Sequence, residues 1–145
     1  MKRLIKTICI IMAAVLLFAI PVGAQAPATP FASTFFAHDR TWLEKNSSVQ
    51  IKINFEVIAV GTMDELGVNY IKIQRSQNGT NWETMKEYYP YIYTKMIGYD
   101  ILSLSDYVTY TGTPGWYYRA YVVFYAKNYS GGIAEVTQYS EIFQL

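Results

Sequence analysis

The sequence predicts an all-β protein, an antiparallel sandwich of about seven short strands. Three observations carry this. Val49, Ile51, Ile53, Phe55 and Val57 alternate with Gln50, Lys52, Asn54 and Glu56, and a period of two belongs to a half-buried strand. A second, longer alternation runs through "WYYRAYVVFYAKN" from Trp116 to Asn128. Between two strand-like runs lies Asn78-Gly79, a hairpin signal because both residues tolerate positive φ. No stretch of helical period and no internal repeat interrupts the pattern.

The first residues read differently. Lys2, Arg3 and Lys6 precede an apolar run from Thr7 to Ile20, and the small residues of "PVGAQA" follow. This is the layout of a secretory signal peptide, expected to span residues 1–24. The run falls short of the roughly twenty residues that cross a bilayer as a helix, so no stable membrane anchor is expected after cleavage. Cleavage after Ala24 is preferred to cleavage after Ala26, which would place Pro27 just beyond the scissile bond. The protein is expected outside the cell or in the cell envelope. Cys9, the one cysteine, lies in the apolar run. The mature chain then has no disulfide framework and depends on an apolar core, an economy that suits bacterial export. The sequons at Asn46, Asn78 and Asn128 are read as loop sequence. The formal charge of +1 falls to −2 without the three leader cations. A near-neutral domain carries no basic footprint for nucleic acid and no polybasic membrane segment.

Residues 25–47 form a flexible, Pro-rich lead-in followed by a candidate edge strand or capping segment in "FFAHDRTWLEK". The domain proper is expected over residues 48–145. The strand begun at Val49 is expected to end at Gly61. Ile71 and Ile73 face inward on the next strand, with Tyr70, Lys72 and Gln74 outward; Trp82 opens the return strand and covers the core edge. Pro90 argues against a central strand, so residues 88–103 are read as an irregular crossover or short edge strand. "LSDYVTYTG" is a strand. In the penultimate strand Tyr118, Ala120, Val122, Phe124 and Ala126 share one face. Tyr117, Arg119, Tyr121, Val123, Tyr125 and Lys127 share the other. After the "NYSGG" turn a last strand runs through "IAEVTQYSEIFQL".

These residues resemble a family. "YIKIQRSQNGTNWETM" is similar to the C–C′ hairpin of a fibronectin type III domain, and "TPGWYYRAYVVFYAKNYSGG" to its E–F corner and strands F and G. Pro114, Gly115 and Tyr118 match the Pro-Gly-x-x-Tyr tyrosine corner of that family. The resemblance covers roughly residues 48–143 and implies an immunoglobulin/fibronectin type III-like sandwich acting as a binding module or spacer. Gly112 stands where the family has leucine, and the strand-B tryptophan is absent, with Phe55 available to fill its space. The chain also resembles small secreted proteins of Gram-positive bacteria that share "GTMDELG", the Asn-Gly hairpin and a Tyr-rich penultimate strand; that family brings no known activity.

Catalytic chemistry finds little support in the residues. His38 is the only histidine, and its neighbour Asp39 diverges from it on an extended strand. One histidine and no mature cysteine leave no basis for zinc. Asp64-Glu65 and the pair Asp100 and Asp106 lack the spacing of a calcium loop, and a small hydrolase is the least favoured reading. No cofactor is expected. What remains is tyrosine: all fourteen lie between residues 70 and 139. Tyr117, Tyr121 and Tyr125, with Tyr70 on the neighbouring strand and Lys72 and Arg119 among them, form the candidate binding face for an extracellular protein or glycan. Tyrosine is also simply a good strand former, which leaves a structural or self-associating envelope protein as the alternative.

Overall fold

The computed structural model describes residues 34–145. The signal peptide expected at residues 1–24 and most of the lead-in lie outside the described residues. Seven strands make one antiparallel sheet: β1 (Phe36–Lys45), β2 (Gln50–Ser76), β3 (Glu83–Tyr88), β4 (Ile97–Thr111), β5 (Tyr117–Lys127), β6 (Ile133–Tyr139) and β7 (Phe143–Gln144). A 3-10 turn, Thr94–Met96, precedes β4. Among the described residues no helix is long and apolar enough to cross a membrane.

The organising element is β2. The alternation over residues 49–57 has the predicted consequence: Ile51, Ile53, Phe55 and Val57 are fully buried. Each such side chain contributes about 1.5–3 kcal/mol on leaving water. Val49 lies before the strand and stays exposed. Gly61 does not end the strand. The chain remains extended to Ser76 and exchanges partners instead. The first part of β2 lies between β1 and the second half of β4. The second part lies between β5 on one side and the start of β4, then β3, on the other. The change falls between Ile58 and Met63, where the β2–β4 register shifts.

Ile51, Ile53, Phe55, Val57, Ile71 and Ile73 nevertheless share one buried cluster with Tyr118, Ala120, Val122, Phe124 and Ala126. The two parts of β2 therefore enclose the same core, and the sheet curls on itself. The inward parity changes along the way, from Met63 to Leu66 and again from Val68 to Ile71. The second change is a bulge at Asn69, where the β2–β5 register shifts.

Several expectations change here. The candidate edge strand is present as β1, at the edge of the sheet and paired with β2 apart from an irregularity between Phe36 and His38, so the sheet begins at Phe36 and not near residue 48. The crossover after β3 is short: Tyr89–Tyr93 turn on hydrogen bonds to the Tyr89 carbonyl, and β4 is already extended at Ile97. Pro90 does end a strand, but the strand is β3. Tyr88 is buried beside it and donates its hydroxyl to the Thr109 carbonyl at 2.8 Å. Trp82 lies before β3, half-exposed on the outer side under Arg119, and does not cover the core edge. The last strand breaks after Tyr139, where Ser140 is buried and its Oγ accepts from the Ala120 amide.

β5 follows its alternation without a break. Tyr118, Ala120, Val122, Phe124 and Ala126 are all fully buried, and every intervening residue is half-buried. At the corner, Gly115 takes φ +83°. The Tyr118 hydroxyl accepts from the Thr113 amide at 2.7 Å and donates to the Thr113 carbonyl at 3.2 Å. Gly112 has a steric reason: a Cβ there would meet the Tyr118 hydroxyl and Leu145 Cδ2 at 2.9 Å.

Gly67 marks the tightest approach. A Cβ at this position would sit 2.0 Å from the Met96 carbonyl oxygen, which is backbone and cannot rotate away. Gly67→Ala is expected to cost about 3 kcal/mol in chemical denaturation, with loss of the Gly67–Ile97 pairing visible as faster amide exchange at the start of β4. Asn54 offers the opposite case. It is buried between its cross-strand neighbours Trp42 and Tyr107, and its Nδ2 has no hydrogen-bond partner. Replacing an unsatisfied amide by an apolar group of similar size removes a desolvation cost. Asn54→Val is expected to raise stability by about 1 kcal/mol, read as a higher denaturation midpoint at unchanged slope.

Candidate binding surface

Outward positions on adjacent strands become neighbours through register. Lys72 on β2 stands opposite Tyr121 on β5, and Tyr121 stands opposite Tyr139 on β6. Gln74 stands opposite Arg119, and Lys72 on its other side opposite Glu87 of β3. These side chains build a continuous strip across four elements. Tyr139 meets Tyr121 edge-on at 5.1 Å between ring centroids, and Tyr121 meets Tyr70 edge-on at 6.2 Å. Tyr70 meets Tyr89 at 5.1 Å, and Tyr89 stacks on Tyr91 at 5.4 Å. Edge-to-face and offset arrangements at these distances are the favourable ones for aromatic pairs.

Charged groups are fitted among the rings. The Lys72 ammonium lies 5.4 Å from the Tyr70 ring and 5.6 Å from the Tyr121 ring. The Arg119 guanidinium lies 4.3 Å from Trp82 and 4.7 Å from Tyr139, and its Nε donates to Gln74 Oε1 at 2.8 Å. Both cations are held over ring faces, where the quadrupole attracts them. Glu87 binds the middle of the strip. One carboxylate oxygen accepts from the Tyr70 hydroxyl at 2.6 Å, the other from the Tyr89 hydroxyl at 2.8 Å, and Lys72 stands 4.0 Å away.

The hydrogen bond from Tyr70, then that from Tyr89, holds the Glu87 carboxyl below its ordinary range, with Lys72 assisting. The Tyr70 hydroxyl is pushed up, chiefly by burial and then by Glu87. The Tyr70 and Tyr89 rings are thus tied to one carboxylate. Tyr91 at the end of the strip is 78% exposed and Tyr139 at the other side 53%, so the strip presents open rings at both limits.

Of the residues named from sequence, Tyr70, Lys72, Arg119 and Tyr121 come together in this strip. Tyr125 does not join it: it stands between Gly67 and Glu135, near Glu65, with its hydroxyl pushed up first by burial. Tyr117 lies at the other end of β5, paired with Ser76 and Gln144. Pro114, Gly115 and Tyr118 form the corner and are not surface residues of the strip. Trp82, Glu87, Tyr89, Tyr91 and Tyr139 were not anticipated. Two of them follow from turn chemistry. Gly131 at φ +83° and the Asn128–Gly132 hydrogen bonds fix the β5–β6 turn, and counting outward from it sets Tyr121 against Tyr139. The Asn78-Gly79 turn carries Trp82 onto the same face as Arg119.

The residues weighed for catalysis have other occupations. His38 is exposed on β1 opposite Ile58, and Asp39 accepts a hydrogen bond from Gln138 at 2.5 Å. Asp64 and Glu65 hold the Lys127 ammonium at 3.0 and 2.7 Å. Asp100, at φ +55°, accepts from the Tyr129 hydroxyl. Among the described residues no group of three or more His, Cys, Asp or Glu side chains is placed to hold a metal. Compared with known proteins, the chain matches no family model and no curated protein.

The depressed Glu87 carboxyl has a definite pH signature. A folded-state value below the unfolded one adds stability that is fully present above the ordinary glutamate range and is lost as pH falls through the depressed value. Glu87→Gln is expected to flatten the acid limb of the stability–pH curve. In the unaltered protein, the ring resonances of Tyr70 and Tyr89 should move together on acidification, as followed by NMR; independent titration of the two would contradict the shared carboxylate.

Proposed function

We propose that the chain is an exported, non-catalytic binding module built as a fibronectin type III-like sandwich, and that the aromatic strip on its outer face is the binding surface. Three features support the fold reading. β1, the first part of β2 and β4 pair in the order of strands A, B and E. β3, the second part of β2, β5 and β6 pair in the order C′, C, F and G. The Pro114–Tyr118 corner closes its tyrosine hydroxyl onto backbone. The unbroken β2 and the early start of β4, which carries that strand across both groups, set this chain apart from the plain pattern. Export rests on the leader motif of residues 1–24.

The observation that carries the functional reading is the composition and rigidity of the strip. Trp82, Arg119 and five tyrosines line one face, and Trp, Tyr and Arg are the residues that dominate binding energy at protein interfaces. Rings already packed on one another and on cations lose little freedom on binding. A protein surface is the favoured ligand; a glycan chain stacking along the rings is the second form of the same reading.

The test is capture from extracellular and cell-wall fractions, with purified wall glycans in a separate arm. Tyr121→Ala and Tyr139→Ala should each weaken capture by at least about tenfold, with near-UV circular dichroism and melting cooperativity retained. Tyr117→Ala, away from the strip, should leave capture unchanged. Unfolding of Tyr139→Ala, or equal capture by all three variants, would remove the strip from the function.

A further inference from the structure

Several strand edges are open among the described residues, and they are not alike. β1 carries His38, Asp39, Arg40, Glu44 and Lys45 along its length. β3 is short, holds Glu83, Lys86 and Glu87, and has a register break against β2. β4 carries Asp100 at positive φ and Asp106. Charge, brevity and irregularity are the usual means of keeping edges from pairing with other chains. β6, "IAEVTQY", carries the least of this protection. It holds one glutamate, no lysine, arginine or proline, and pairs with β5 in unbroken register.

The direction of its free backbone groups can be read from the bonds at its ends. Asn128 donates to the Gly132 carbonyl at 3.0 Å, and Ser140 donates to the Ala120 carbonyl at 2.9 Å. Alternation then turns the backbone groups of Ala134, Val136 and Gln138 toward β5. Those of Ile133, Glu135, Thr137 and Tyr139 point away from the sheet. The same four residues place their side chains on the outer face, and Ile133 and Tyr139 are 62% and 53% exposed.

We propose that β6 is a self-pairing edge, and that two copies of this chain join β6 to β6 in antiparallel order about a two-fold axis at Val136. In this register Glu135 lies opposite Thr137 of the second copy and Ile133 opposite Tyr139. Each pair exchanges both backbone hydrogen bonds, as opposed residues do at closely spaced positions. No like charges oppose one another, and each exposed apolar side chain covers the other. Shifting the axis to Glu135 sets that carboxylate against its own copy, which is unfavourable. Shifting it to Thr137 sets Ile133 against Glu141, beyond the end of β6. The interface is isologous, so it closes as a dimer and does not propagate. Opposed residues share a face, so the aromatic strips of the two copies lie on one continuous outer surface. The pairing does not depend on that strip having a ligand.

Sedimentation velocity over a concentration series, on protein expressed from its full-length sequence, tests the proposal. The unaltered protein should show a monomer–dimer equilibrium. Thr137→Glu sets a second carboxylate against Glu135 of the other copy at both symmetric positions and should weaken dimerisation roughly tenfold. Thr137→Lys sets an ammonium against Glu135 and should tighten it a few-fold, an advantage lost in high salt. Thr137→Pro removes only an outward-facing amide, which an edge strand tolerates, and should abolish the dimer while the fold, followed by circular dichroism, persists. A protein monomeric throughout the series overturns the proposal. So does a Glu and a Lys variant weakened alike, or a proline variant that still dimerises.

Discussion

The sheet of the described residues is organised by one continuous strand. β2 pairs with β1, β3, β4 and β5, and its inward side chains line the core along both of its parts. A strand that buries one face must keep its parity or repair it. β2 repairs it twice, between Met63 and Leu66 and at the Asn69 bulge. Between these lies Gly67, where the Met96 carbonyl presses against the strand and no side chain fits. The curl of the sheet is thus a consequence of local irregularities placed where β2 changes partners, since bulges increase twist and bend a strand.

The aromatic strip is the other side of the same constraint. Once Ile71 and Ile73 must face the core, Tyr70, Lys72 and Gln74 must face outward, and β5 aligns its own outward set beside them. The outward residues of β5 are half-buried because large neighbours lean over them. Half-burial gives this face order without a cavity: rings are held by rings, by Lys72 and Arg119, and by one carboxylate that takes two tyrosine hydroxyls. Single exposed ion pairs contribute little. A network with shared hydrogen bonds fixes geometry more firmly than its separate pairs.

The open edge at β6 and the aromatic face at Tyr139 meet on one strand. This links two properties that are usually argued separately, what a sheet face binds and what a sheet edge pairs with. A β6 edge joined to a second copy lengthens the face without altering it. Under the proposed pairing, the charged edges of β1, β3 and β4 leave β6 as the side on which association occurs.

Short-range pattern determined a large part of this protein. The alternation from Ile51 to Val57 and from Tyr117 to Lys127 set which residues are core, because a pleated strand allows only two directions for a side chain. The Asn78-Gly79 and Pro114-Gly115 pairs marked a turn and a corner, the glycines by their freedom to take positive φ and the proline by its fixed φ. Tertiary structure decided the rest. That Gly61 continues a strand depends on new partners arriving from β4 and β5, which no local signal announces. That β4 starts at Ile97 depends on its pairing with residues 63–67. Tyr121 and Tyr139 were visible as tyrosines, yet only the β5–β6 register made them a pair. Tyr89 and Tyr91 joined the strip only because the turn after β3 folds back beside Tyr70. Sequence specifies which way a residue points. Which residues stand next to it is set by register and curl, and those are properties of the assembled sheet.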